Sequence, residues 1–406
     1  MKKIIRNSIL TVFAIAGLFS CSREIPLLNF GLNDSYHTER MKALHLKPRL
    51  SGTAYRWTMI NSIGEDSLLT EERNLVFIAE KPGNYTVTCE IIDEINPLKH
   101  TLKITVTEEL VAYSPYISKV FEYRPAPGQF VNKSPAYEPG DTEKDMVRKA
   151  EEAIAQNNQR IVSLGSFGGY ITFGFDHTVI NLPGKYDFKI DGNAFLEQEI
   201  DDTGRQGGSS EPGIVMVSFD ANNNGIPDDE WYELAGSEYH KPETLKNYEI
   251  TYYKPDPGKS PVPGTGNQSF ITDFTYIQWK DNQSDEGYVY KNSFHLQSYW
   301  PLWLGNSPSL TFSGTKLKNN AVDESEGQNG TFYLQYFFPW GYADNLPNNM
   351  DKGYKIDWAV DSNGNPVYLR GIDFVRVYTG INQCNGWKGE ASTEILGARD
   401  LHLEMK

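Results

Sequence analysis

Cysteine is scarce in this 406-residue sequence, and its scarcity limits how the fold can be stabilised. Only three cysteines occur, and Cys21 falls at the end of an N-terminal signal. The other two, Cys89 and Cys384, cannot make a disulfide framework of the kind that small secreted domains use. Stability must therefore come from the burial of apolar side chains, and the chain is long enough for two or three cores.

Long apolar runs and common catalytic motifs are also missing. No segment after the first twenty residues is apolar enough to cross a bilayer. The sequence has no HExxH, GxSxG, Walker or complete GxGxxG pattern, and none of its seven histidines stands at zinc-ligand spacing. A glycosidase needs only two carboxylates that the fold brings together, so a carbohydrate-active enzyme stays open as an alternative. The absences favour a protein that binds rather than catalyses.

Positively charged residues are outnumbered: the sequence has 38 Lys and Arg against 53 Asp and Glu, which gives a net charge of −15. Such an acidic chain is poorly suited to nucleic acid or to anionic lipid surfaces. We therefore predict no nucleic-acid partner.

The first residues predict export and lipidation. Lys2, Lys3 and Arg6 precede an apolar run over 9–19, which is too short to span a bilayer and is typical of a secretory signal. The sequence Leu-Phe-Ser-Cys that ends at Cys21 resembles a lipobox. We predict a lipoprotein signal peptide over 1–20, lipidation of Cys21 and a tether over 21–28. The lipid anchor would hold the protein in the outer membrane, facing the cell surface.

The remainder has the pattern of a mostly β protein. Aromatics make up 13% of the residues, and short apolar stretches alternate with turns rich in Gly and Pro. In the block 29–108, a Pro82-Gly83 turn precedes a strand in which Tyr85, Val87 and Cys89 share one face. With Trp57 as a core anchor, this block resembles a PKD-like, immunoglobulin-like domain.

Residues 109–160 predict a linker followed by one amphipathic helix, near 142–157, with Thr142 and Asp145 as its cap. Residues 161–406 alternate as strands throughout, and we predict one large jelly-roll-like β-sandwich there. The fold class is thus an immunoglobulin-like sandwich followed by a larger sandwich with a single helix.

One loop has the spacing of a calcium site. Oxygen-bearing residues recur at alternate positions before Gly225, where a calcium loop turns sharply, although the twelfth position is Trp231 rather than a carboxylate. A solvated Asn/Gly-rich hairpin is the alternative. We predict structural calcium bound by Asp220, Asn222, Asn224, the Ile226 carbonyl, Asp228 and Glu230.

Two aromatic segments predict a ligand-binding face. Rings beside amides and carboxylates suit a sugar or a planar cofactor, whereas the alternative is that the rings fill a core. The candidate ligand-binding residues are His295, Gln297, Tyr299, Trp300, Trp303, Trp340, Tyr342 and Asp344.

Several stretches together resemble a family of Bacteroidota cell-surface lipoproteins with a PKD-like N-terminal part, among them Leu-Gly-Ser-Phe-Gly-Gly-Tyr at 164–170 and Gly-Ile-Asp-Phe-Val-Arg-Val-Tyr at 371–378. The resemblance implies nutrient capture beside a TonB-dependent outer-membrane transporter, with a corrinoid (cobamide) or a glycan as ligand. A calcium-stabilised adhesion or surface-layer protein is the other alternative. If the protein captures a ligand, the aromatic segments should converge in one pocket, whereas an adhesion protein should keep them buried and separate.

Overall fold

The computed structural model describes residues 29–60, 66–93, 97–198, 204–328 and 330–404. The predicted signal peptide, the lipidation site Cys21 and the tether over 21–28 lie outside the described residues.

The described residues form twenty-five strands and two α-helices. The first strands are β1 Ser35–Glu39, β2 Leu44–Leu46, β3 Ala54–Ile60, β4 Asp66–Thr70, β5 Leu75–Phe77, β6 Gly83–Ile92, β7 Leu98–Thr107 and β8 Lys119–Arg124. After helix α1 (Glu143–Ile154) come β9 Val162–Ser163, β10 Tyr170–Ile180, β11 Phe188–Asp191, β12 Phe195–Gln198, β13 Gly207–Ser209, β14 Gly213–Ser218, β15 Trp231–Leu234 and β16 Leu245–Tyr253. The last are β17 Ile271–Asp281, β18 Glu286–Asn292, β19 Ser309–Lys316, β20 Ala321–Asp323, β21 Tyr333–Tyr336, β22 Ala359–Val360, β23 Gly371–Thr379, β24 Glu394–Ile395, β25 Gly397–Asp400 and helix α2 Leu401–Glu404.

The predicted mostly β class is confirmed. Helix α1 begins with a capping box, in which the Thr142 side chain accepts the Asp145 N–H and the Asp145 side chain accepts the Thr142 N–H. Its apolar face buries Met146, Ala150 and Ile154. Among the described residues, no helix is both long and apolar enough to span a membrane.

The described residues divide into two compact units. The smaller comprises the described residues up to 34, with 46–75 and 86–102; the larger comprises 35–45, 76–85 and the chain from 103 onward. In the smaller unit, β3 pairs antiparallel with β4 and β6. Trp57, Cys89 and Ile91 are fully buried there. Cys89 therefore acts as a small apolar core residue, and burial raises the pKa of its thiol to about 12.

The larger unit is built on a six-stranded sheet with the order β22-β15-β14-β23-β10-β8. Because successive side chains in a strand point to opposite faces, its central strands contribute to two cores. Val215, Val217 and Val377 pack in one core with helix α1. Ile214 and Tyr378 pack in the other, with side chains from a four-stranded sheet of order β18-β17-β16-β19.

Candidate functional site

A cleft of about 1120 Å³ opens on the larger unit. Its lining has two main sources. One is the face of the six-stranded sheet that is turned away from helix α1, and the other is strands β16 and β19. The residues that carry its chemistry are Arg124, Tyr170, Glu230, Trp231, Glu233, Tyr239, Lys246, Glu249, Thr315, Asp361, Arg376 and Tyr378. The cleft therefore combines aromatic rings with charges of both signs.

Arg376 lies at the centre of this lining between two rings. Its guanidinium carbon is 4.8 Å from the centroid of the Tyr170 ring and 4.5 Å from that of Trp231. The Nε donates to Thr172 Oγ1 at 2.9 Å, and an Nη donates to the Glu122 carboxylate. Residues 122, 172 and 376 face one another on neighbouring strands, so sheet register holds the group in place. A guanidinium fixed in this way forms a rigid platform with its two rings.

A second polar group lies beside the platform. Glu233 accepts a hydrogen bond from Thr315 Oγ1 at 2.6 Å, and its carboxylate lies 3.8 Å from the Lys246 ammonium. Burial raises the pKa of Glu233, and burial lowers the pKa of Lys246 to about 8. The ammonium also lies 2.9 Å from the centroid of the Tyr239 ring. Both charges are thus partly desolvated, which strengthens their interaction with a bound polar molecule.

The calcium-like loop precedes Glu230 and Trp231, which line the cleft. Asp220 accepts the N–H groups of Asn224 and Gly225, at 3.0 and 2.8 Å. The side-chain amides of Asn222 and Asn224 both donate to the Asp228 carboxylate. The side-chain oxygens of Asn222 and Asn224 accept the N–H groups of Asn224 and Ile226, so these contacts are also those of a hydrogen-bonded Asn/Gly-rich turn.

The other two predicted calcium ligands are placed differently. The Ile226 carbonyl accepts the Asp228 N–H at 2.8 Å. Glu230 accepts from Tyr232 Oη at 2.8 Å and lines the cleft. Calcium at this loop would use Asp220, Asn222, Asn224 and Asp228, with the two asparagines turned so that their oxygens face the ion.

The predicted aromatic face does not line the cleft. Tyr299 and Trp300 are buried in the core of the larger unit, and so is Tyr342, whose hydroxyl accepts the Glu238 N–H at 2.9 Å. Trp303 is half-buried and stacks on Tyr123, with ring centroids 5.8 Å apart. These rings stabilise the fold and present little surface to a ligand.

The remaining members of that set are also separate from the cleft. His295 meets Phe130 edge to face, and Gln297 donates to the Gln129 carbonyl. Trp340 is the most exposed of the set, at 41%, and contacts Trp358. Asp344 is buried. The segments therefore do not meet in one pocket within the described part of the chain. This is the arrangement expected of the adhesion alternative, and capture of a ligand would need a site other than these rings.

Asp344 instead belongs to an acidic cluster with Glu211 and Glu394, whose oxygens lie within 4.8 Å of one another; Asp344 and Glu394 are buried and Glu211 is half-buried. Asp344 accepts the N–H groups of Asn193, Ala194 and Glu394. Burial raises the pKa of Asp344 and of Glu394 well above the usual range. Protonation is the way in which such a cluster avoids holding three negative charges together.

Comparisons with known proteins give only distant likenesses. No family model matches the chain, and no curated protein matches it. Among solved structures, a SusE-like protein is 9% identical at a TM-score of 0.28, over 90% of this chain and 93% of that one. Carbohydrate-binding modules of the β-sandwich superfamily are 8% identical at a TM-score of 0.14, over 89% and 94%. A quinonprotein alcohol dehydrogenase-like protein from Bacteroides thetaiotaomicron is 12% identical at 0.17, over 66% and 49%. These likenesses are too distant to transfer a function.

Proposed function

We propose that the protein captures a bulky solute in the cleft, and that the solute is a corrinoid. The observation that carries the proposal is the immobilised platform of Tyr170, Arg376 and Trp231. A binding site gains affinity when its groups are already ordered before the ligand arrives. The platform is ordered by sheet register and by Glu122, so little freedom is lost on binding.

The size and chemistry of the cleft support this class of ligand. Small-molecule sites usually enclose about 300–1000 Å³, so a cleft of about 1120 Å³ suits a molecule larger than one or two sugar units. A corrinoid has a broad ring bordered by amide groups and a phosphodiester. The cleft offers donors from Arg124 and Lys246 and acceptors from Glu249 and Asp361, which match amides of either orientation.

A glycan is the second candidate, because Trp231 and Tyr170 lie beside carboxylates and amides within the cleft. An oligosaccharide could stack on the rings and donate hydroxyls to Glu233. The two kinds of ligand can be titrated separately, so one experiment distinguishes them.

The test is calorimetry of the purified protein with cyanocobalamin and with a panel of oligosaccharides. We expect cyanocobalamin to bind, and Trp231→Ala and Arg376→Met to weaken binding at least about tenfold, the factor for about 1.4 kcal/mol. Trp340→Ala is the matched control, since Trp340 does not line the cleft. Binding that survives the cleft variants but is lost in Trp340→Ala would place the site elsewhere. Heat with oligosaccharides alone would select the glycan.

We also propose the cellular setting that the sequence predicts. Acyl chains on Cys21 would tether the protein to the outer membrane, where it would deliver the solute to a TonB-dependent transporter. Radiolabelled palmitate in the protein, and its absence from a Cys21→Ala variant, would support the anchor. Recovery of the wild-type protein in the soluble fraction would refute it.

We propose, finally, that calcium stabilises the loop over 220–228 rather than taking part in chemistry. The alternation of oxygen-bearing side chains at Asp220, Asn222 and Asn224, with Asn222 and Asn224 in contact with Asp228, supports this role. Because Glu230 and Trp231 follow directly and line the cleft, an ordered loop would also fix one of its edges.

A further inference from the structure

One end of the large cleft carries hydrogen-bond donors that lack acceptors. Arg124, on β8, is half-buried in the lining and makes no hydrogen bond or ion pair with the described residues. Tyr170 lies directly opposite on β10, is also half-buried, and has a hydroxyl without a hydrogen-bond partner in the described part of the chain. Residues opposed on paired strands point to the same face of a sheet, so both side chains face the cleft. Because a guanidinium has donors and no acceptor, this end of the cleft requires an acceptor from a ligand.

The charge of Arg124 lies close to the Tyr170 hydroxyl. Burial and then the Glu122 carboxylate raise the pKa of Tyr170, whereas the Arg376 and Arg124 cations lower it, and the exposed Glu143 has the least influence. Glu122 is already paired, since it accepts a hydrogen bond from Arg376. Among the described residues, no carboxylate neutralises Arg124, and its positive charge is left for a ligand.

The acidic side chains of the lining do not compete for this position. Glu233 is on β15 and Asp361 follows β22, whereas Arg124 is on the strand at the opposite edge of the sheet. Four strand spacings of about 4.8 Å separate β8 from β15, which places them about 19 Å apart. The other two acids, Glu230 and Glu249, are exposed to solvent. Because charges are screened beyond about 8 Å at physiological salt, the acids at the β15 edge do little to repel an anion at Arg124.

We infer that Arg124 and Tyr170 bind an anionic group of the captured solute, a phosphoryl or a carboxylate group, at the β8 end of the cleft. The inference rests on the proposed function only in taking the cleft as the binding site. A guanidinium matches two oxygens of either anion, and the tyrosine hydroxyl adds a third donor. A neutral amide would accept from one donor and would leave the charge of Arg124 unbalanced. A phosphodiester of a corrinoid meets this requirement, and a glycan meets it only if the glycan is acidic.

The first test detects the anion directly and needs no corrinoid. Arginine side-chain N–H signals would be followed by NMR while inorganic phosphate or glucuronate is titrated into the purified protein, with glucose as the uncharged counterpart of glucuronate. We expect one arginine signal to shift with at least one anion and not with glucose, and Arg124→Met to lack that signal. A shift with phosphate alone would identify a phosphoryl site, and a shift with glucuronate alone a carboxylate site. Arg56→Met is the matched control, because Arg56 is an exposed arginine of β3 that does not line the cleft and its loss changes the net charge equally.

The second test is calorimetry with cyanocobalamin and with dicyanocobinamide, a corrinoid that lacks the phosphodiester. Arg124→Met should weaken cyanocobalamin binding at least about tenfold, which corresponds to about 1.4 kcal/mol, and should leave dicyanocobinamide binding unchanged. Tyr170→Phe removes only the hydroxyl and should weaken cyanocobalamin binding about two- to tenfold, the range for one hydrogen bond. Circular dichroism would show whether each variant folds, and Tyr170→Phe keeps the test decisive if Arg124→Met does not.

The outcomes separate this inference from the proposed function. Shifts of the Arg124 signal in a protein that does not bind cyanocobalamin would refute the corrinoid and support the anion site. Cyanocobalamin that binds equally well to wild type, Arg124→Met and Tyr170→Phe would support capture and overturn the anion site. An arginine spectrum that neither anion changes, or a shift that persists in Arg124→Met, would overturn it as well.

Discussion

Replacing Glu390 by Gln should make the protein more stable at neutral pH. The folded carboxyl has a pKa of about 8, against an ordinary value near 4.5, because burial penalises the anion. The folded state therefore binds its proton more tightly than the unfolded state does. The stabilisation of the folded state by the protonated Glu390 is fully present below pH 4.5 and is lost progressively as the pH rises toward 8.

The size of the effect follows from that difference in pKa. Each pH unit between the two pKa values costs about 1.4 kcal/mol, so the penalty at pH 7 is about 3 kcal/mol. Glutamine has nearly the same shape and does not ionise, and its carbonyl can still accept the Gln129 N–H. The variant should match wild type near pH 4 and exceed it by about 3 kcal/mol at pH 7.

The assay is urea unfolding of both proteins at several values between pH 4 and 8, followed by tryptophan fluorescence and circular dichroism. Only the difference between the two proteins is needed, since other titrating groups contribute equally to both. A difference that does not change with pH, or that favours wild type as the pH rises, would show that Glu390 is solvated or paired.

Three further predictions test separate parts of the fold. Thr142→Ala removes the cap of helix α1 and should lower the free energy of unfolding by about 1 kcal/mol in denaturant titrations. Trp57→Ala leaves a cavity in the smaller unit and should cost about 3–5 kcal/mol, measured by the same unfolding titration. Calcium at a hundred times its Kd should stabilise wild type by about 2.7 kcal/mol in thermal scans, and Asp220→Ala should abolish that gain. An unchanged melting temperature with calcium would refute the metal site.

Local patterns in the sequence were sufficient to predict much of the secondary structure. The alternation of Tyr85, Val87 and Cys89 falls within β6, and Thr142 with Asp145 marks the start of α1 as observed. Such signals depend only on residues a few positions apart, so they can be read without the fold. The hydrogen bonds within the loop over 220–228 are local in the same way.

The cleft could not be predicted in that manner, because its parts come from distant positions. Tyr170, Trp231 and Arg376 meet only after β10, β14, β15 and β23 have paired. One sign was present, since Asp373 and Arg376 interrupt the apolar run over 372–378, and a charge within a buried strand needs partners. Aromatic-rich runs such as 294–303 predicted a binding face, yet Tyr299 and Trp300 there fill a core.

The position of the cleft follows from how far the four-stranded sheet extends over the six-stranded one. On the face away from α1, Ile214 packs against side chains of the smaller sheet, whereas Tyr378 and Phe312 of β19 belong to the same core and also line the end of the cleft. Two residues further along the same strands, Met216 and Arg376 line the cleft. On this face, a strand thus supplies core residues where the four-stranded sheet lies over it, and cleft-lining residues beyond the end of that sheet. Lengthening β19 so that the four-stranded sheet covers more of the six-stranded sheet would therefore close the cleft without altering Tyr170, Trp231 or Arg376.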